Sequence, residues 1–192
     1  MLFKKKKYIL NVTERVELEN KLRTSVLYSL DKPTTVEELS KKLRLKIEYV
    51  ETMDDDNEAE LLPIESNEYW GLIRLRKESR NNRFAYMHEV MHYVFDVGYG
   101  NKVANKFTRK KQGKTFNRDE QKMNYMAAAC IMPYEDILRE LKLYDASHPK
   151  MDEIKFVRNL QNKYDQSETA ILRRIREVRK ISRSGSPTLQ TH

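Results

Sequence analysis

Two of the four histidines in the chain, His88 and His92, lie four residues apart, and a glutamate, Glu89, directly follows the first. Residues at this spacing on a helix project from one face, about 5–6 Å apart at Cβ. Two imidazole nitrogens can then converge on one Zn²⁺ at about 2.0–2.1 Å. Glu89, roughly 100° further round the helix, can face a water at the ion and take its proton without ligating the metal. The surrounding run, RFAYMHEVMHYVF, is otherwise rich in core residues: Phe84, Ala85, Met87, Val90, Met91, Val94 and Phe95. An imidazole without a partner is costly in such surroundings. A metal would serve both; the competing reading is a chance match of hydrogen-bonded core histidines.

A catalytic zinc usually takes a third protein ligand and leaves its fourth position to water. The extension HExxHxxGxxH is excluded, because positions 95 and 98 hold Phe95 and Gly98. Asp96 follows His92 by four residues but lies about 12 Å along the helix from His88. It is therefore read as a helix-end or surface carboxylate. The better candidate is Glu120, in DEQKMNYMAAACIMP. It precedes Met123 by three residues and Ala127 by seven, on the stripe expected to pack through Met123, Met126, Ala127, Cys130 and Ile131. Asn124, one turn on, could support it by a hydrogen bond from outside the ligand set. Small residues from Ala127 to Ala129 would let this helix lie close to the histidine helix. Spacing alone does not separate this reading from a first-turn acid that interacts with the helix dipole.

These groups need elements to hold them. The stripe Leu18, Leu22, Val26, Leu30 suggests an amphipathic helix ended by Asp31-Lys32-Pro33. Thr35 and Glu38 form a capping-box pattern for a short helix through Leu43. Residues 45–51, LKIEYVE, alternate as a strand, and a second strand is expected over 68–76 with Tyr69, Ile73 and Leu75 on one face. As an edge of the sheet, that second strand could hold an extended substrate by backbone pairing. Residues 98–118 read as a long basic loop. Helices should follow from near Asp119 to before Pro133, and again from Pro133. Residues 154–180 read as two helices joined around Tyr164–Ser167, with Ser167 as an N-cap. The fold class expected is α+β, a mostly helical zincin-like domain with a small β-sheet and a C-terminal helix-turn-helix-like segment. Its boundaries fall as a helical extension over 1–34, the main domain over 35–150, a packed helical segment over 151–182 and a flexible tail over 183–192.

Composition narrows the classes. With 192 residues, 39% hydrophobic and 34% charged, the chain can bury one substantial core and is not of the disordered type. No apolar run approaches the roughly 20 residues that span a bilayer, and no secretory apolar segment follows Lys4–Lys7. A single cysteine excludes an internal disulfide framework. A cytoplasmic protein with no membrane partner is expected. The net charge of +8 is concentrated at Lys4–Lys7, at 101–118 and at 154–183. Arg173, Arg174, Arg176 and Arg179 on the last helix could contact phosphates and guanine edges. A DNA-binding regulator that keeps a zinc site without proteolysis is therefore the alternative function.

RNNRFAYMHEVMH, followed some thirty residues later by EQKMNYMAAACIMP, resembles the ImmA/IrrE metallopeptidase family. The order of strand YWGLIRLR before the histidine helix, and of TTVEELSKKLRLKIEYVE before that, also resembles the family. The likeness implies that His88, His92 and Glu120 bind one zinc ion and that Glu89 is the general base. It also implies a site-specific endopeptidase whose partner is a protein substrate, a helix-turn-helix repressor of phage, mobile-element or stress-response type. Met91, Met123 and Met126 stand where the family usually has Gly, Ala and Phe.

Overall fold

The computed structural model describes residues 9–29, 35–53, 58–78, 82–104, 118–147 and 152–184. Within these, eight α-helices and a three-stranded mixed sheet make an α+β fold that is mostly helical. No described helix is long and apolar enough to cross a membrane. The chain forms two compact units. One contains Leu22–Ala127, and the other brings Leu10–Lys21 together with the chain from Ala128 onward. The basic loop over 105–117, the lysines at 4–7 and the tail beyond 184 lie outside the described residues.

The first unit is built on strands β1 (Leu45–Val50), β2 (Ala59–Leu62) and β3 (Gly71–Arg76). β3 pairs parallel with β1 and antiparallel with β2, giving the order β1-β3-β2. The expected substrate-holding edge at 68–76 is therefore corrected: both sides of β3 are already paired, and among the described residues the open edges belong to β1 and β2. One face of the sheet is apolar, with Leu45 and Ile47 beside Gly71, Ile73, Leu75 and Leu61. On the other face, the Arg74 guanidinium reaches Glu48 at 2.7 Å and Glu60 at 3.6 Å, which ties all three strands at the surface. Tyr49 is half exposed; burial first, and then its hydrogen bond to Glu37, push its hydroxyl up to about 12.

Helix α3 (Val36–Leu43) starts as its sequence dictates. Thr35 Oγ1 accepts from Glu38 N, and Glu38 Oε2 accepts from Thr35 N. It ends on Arg44, which takes a left-handed conformation. The Arg44 guanidinium donates to the carbonyls of Asn67 and Glu68 and lies 4.7 Å from the centre of the Trp70 ring. That clamp sets where β3 begins. Helix α4 (Asn82–His92) packs against β2 and β3. Its Tyr86 hydroxyl shares a buried 2.6 Å hydrogen bond with Ser40 of α3, and burial pushes that hydroxyl's pKa up. α4 passes into a π-helical turn, Tyr93–Gly98, which Gly98 and Gly100 end with positive φ. The chain then returns to the sheet, where Val103 N donates to Trp70 O. Gly71 is required at this crossing, since a Cβ there would lie 2.7 Å from Val103 Cγ2.

The stripe from Leu18 to Leu30 was expected to be one helix. Instead, α1 (Val12–Arg23) begins earlier and a break at Thr24–Ser25 separates it from the short α2 (Val26–Ser29). The cause is local: both the backbone N and the Oγ of Ser25 donate to Leu22 O, closing a tight turn in place of the next helical bond. Asn11 and Glu14 cap the start reciprocally. Helix α5 (Arg118–Ile131) runs through the first unit and ends in the second.

The second unit contains α6 (Tyr134–Ser147), α7 (Glu153–Tyr164) and α8 (Glu168–Arg183). Asp165 in a left-handed conformation turns the chain between α7 and α8, and Ser167 Oγ caps α8 at Ala170 N. The arginines once assigned to a DNA-reading face are partly reassigned. Arg174 is 1% exposed; its Nε donates to Met132 O and its Nη2 to Glu19. Arg173 is bonded to Glu177, and Arg179 lies 3.8 Å from Asp145. Arg174 is core because positions 171, 174, 175, 178 and 181 form one helical stripe, so its charge points into the packed side.

Candidate metal centre

The geometry begins with α4. Ala85, Tyr86, Val90 and Met91 are buried, and this anchors the helix on the sheet while His88 and His92 project from the same side. His92 is buried, and the His88 side chain is 12% exposed. Their Nε2 atoms lie 3.2 Å apart. Glu120, in the first turn of α5, brings Oε2 to 3.2 Å from His88 Nε2 and Oε1 to 3.6 Å from His92 Nε2. The three residues thus offer one ligand atom each to a common point.

The spacing is compatible with a metal: the two Nε2 atoms lie 3.2 Å apart, close to the roughly 3.3 Å between ligands of a tetrahedral ion, and one ligand atom from each of the three residues lies within 4.8 Å of the others. The donor chemistry fits as well. His92 Nδ1–H donates to Asp96 Oδ2 at 2.5 Å, since a carboxylate oxygen accepts. His92 Nε2 is then a bare lone pair in the neutral ring. It faces another imidazole nitrogen and a carboxylate oxygen, neither of which is an obligatory donor. Acceptors converging in this way are stabilised by a cation at their centre.

His88, His92 and Glu120 are the three residues that spacing and family likeness brought forward, and the fold brings them together. Glu89 is buried at 3% exposure on the same helix, outside the three-residue cluster. Asn124 is half-buried, and among the described residues it makes no hydrogen bond with the three. Met91, Met123 and Met126 are all buried, so the unusual methionines serve as packing at the two motifs. Cys130, expected in the core, is only half-buried.

Asp96 is an exposed helix-end carboxylate outside the ligand set, as expected, but its contact was not foreseen. It is indeed too far along the helix from His88 to complete the ligand set, yet it is the hydrogen-bond partner of His92. The signal was its four-residue spacing from His92, the same spacing that relates the two histidines.

No curated protein and no solved structure matches the chain. The family comparison does match, with the IrrE N-terminal-like domain, a metallopeptidase family, over residues 49–176. That span contains strands β2 and β3, the HExxH helix and the glutamate that completes the cluster, and the chain belongs to this family.

Proposed function

We propose that the chain is a zinc-dependent endopeptidase that acts in the cytoplasm on a regulatory protein, a helix-turn-helix repressor being the substrate that the family likeness favours. The observation that carries this reading is the convergence of His88, His92 and Glu120 at metal-ligand spacing, inside a metallopeptidase family match. These three residues hold the ion. Zn²⁺, when bound, supplies Lewis-acid polarisation of the scissile carbonyl and an acidified water. Glu89 is the general base: it follows the first ligand directly, takes a proton from the attacking water and returns it to the leaving amine. Its burial on the histidine helix supports that role.

An extended substrate has an open strand to pair with beside α4. β2 pairs with β3 through Glu58, Glu60 and Leu62, as the bond from Arg76 N to Glu58 O indicates. The backbone groups of Ala59 and Leu61 then point to the open side. A substrate strand added there would need to be locally unfolded in its own protein.

The DNA-binding alternative loses much of its footing, because Arg174 is core and Arg173 and Arg179 face carboxylates of the chain. The test is to incubate the zinc-loaded protein with a helix-turn-helix repressor from the same source, with and without chelator. Cleavage that stops with chelator supports the reading; an intact repressor under both conditions, with zinc bound, contradicts it.

A further inference from the structure

The two histidines are held differently. His92 Nδ1–H is engaged by Asp96, whereas His88 Nδ1 is buried and has no hydrogen-bond partner among the described residues. The rings meet edge-on, with centroids 4.8 Å apart and planes at 62°. A rotation of the His92 ring would therefore carry its Nε2 away from both His88 and Glu120. The Asp96 carboxylate, bonded to Nδ1 on the far side of the ring, is an anchor against that rotation.

Asp96 lies in the π-helical turn that directly follows α4, a type of turn found frequently at functional sites. The backbone around it is fixed. Gly100 N donates to the buried Tyr93 hydroxyl, Asn101 Nδ2 donates to Val97 O, and Val103 N donates to Trp70 O. The carboxylate itself is 40% exposed. A hydrogen bond from a neutral imidazole to a carboxylate this exposed to water gives only a modest net gain to folding, so stability alone does not account for its placement on a ligand's second nitrogen.

We propose, resting on the zinc reading above, that Asp96 is the positioning residue of the centre. It holds His92 in the tautomer whose Nε2 is the electron-pair donor, and it aims that nitrogen at the point shared with His88 and Glu120. Such a carboxylate fixes the ring and raises its basicity as a ligand, and its loss typically weakens metal affinity about 10–100-fold.

The test compares wild type with Asp96→Ala, Asp96→Leu and Asp96→Asn in the full chain. Zinc affinity is read by competition with a chromophoric chelator, the ligand field by visible absorption of the Co²⁺-loaded proteins, and folding by the thermal midpoint of the metal-free forms. Wild type should bind one zinc. Asp96→Ala should bind it about 10–100-fold more weakly, with an altered Co²⁺ spectrum and an unchanged metal-free midpoint. Asp96→Asn, whose amide oxygen still accepts from Nδ1–H, should recover most of the affinity. If the alanine variant does not fold, Asp96→Leu, which fills the same volume without accepting, carries the comparison. Equal affinities and identical spectra in wild type and in Asp96→Ala or Asp96→Leu would overturn the positioning role and leave the zinc reading standing. A wild-type chain that takes up no zinc would overturn the zinc reading itself, and the proposal with it.

Discussion

At Arg174 a buried guanidinium meets buried carboxylates; at His88 and His92 two imidazole nitrogens meet a third acceptor. The first cluster contains its own cation: Arg174 donates to Glu19 and to Met132 O, with Glu177 nearby at 3.8 Å. The second is a meeting of acceptors. Once His92 has given its Nδ1 hydrogen to Asp96, its other nitrogen faces His88 Nε2 at 3.2 Å and Glu120 at 3.6 Å. Both clusters place polar groups inside helical packing, where each must be compensated. The difference lies in the donors. A cluster that contains its own cation ties helices together, and one made of converging lone pairs is shaped for a cation from outside.

The comparison can be broken from either side. The largest effect should come from Glu89→Gln, which is expected to keep stoichiometric zinc and lower the cleavage rate by about 10²–10⁴-fold; single-turnover cleavage of the proposed substrate alongside metal analysis checks both parts. Normal cleavage by that variant would remove Glu89 from the mechanism. On the other side, Glu19→Ala leaves the Arg174 charge buried with less compensation. It should cost about 3–5 kcal/mol of stability while zinc per folded chain stays unchanged, as read by denaturant unfolding and metal content. A Glu19→Ala protein as stable as wild type would show that the ionic cluster is not a structural tie.

Two smaller changes sharpen the boundary between positioning and chemistry. Gly71→Ala forces Val103 to shift, and overpacking of this kind typically costs about 1–3 kcal/mol. Its midpoint in urea should fall while zinc stoichiometry is retained. Tyr86→Phe removes only the hydroxyl bonded to Ser40. Loss of that bond should cost about 0.5–1.5 kcal/mol, with cleavage by the folded fraction unchanged; a selective loss of cleavage would instead move Tyr86 into the site.

The parts of this centre that were legible in the sequence are those fixed by helical spacing. His88, Glu89 and His92 lie within five residues, so the periodicity of one helix determines their relation. Glu120 was harder. Its own helix face could be read, but its approach to His88 depends on a tertiary path through residues that carry no local signal. The contact of Asp96 was missed because its distance was measured from His88 and not from His92, its actual partner. Arg174 shows the same limit: its place on the 171–175–178 stripe was readable, but its partner Glu19 is 155 residues away in sequence. Strand order likewise depends on pairing between distant segments, so the alternation in 68–76 marked a strand without revealing that it is the central one.

The most direct measurement is the metal content of the chain after loading with Zn²⁺ and removal of unbound ion, made in parallel on wild type and on Glu120→Ala. Glu120 is partly exposed at the start of its helix, so its loss should leave the fold intact. The account predicts one zinc per wild-type chain and a substoichiometric, easily stripped ion in Glu120→Ala. A wild-type chain with no zinc, or a variant that holds it as tightly as wild type, would contradict the claim that α4 and α5 jointly build a metal centre.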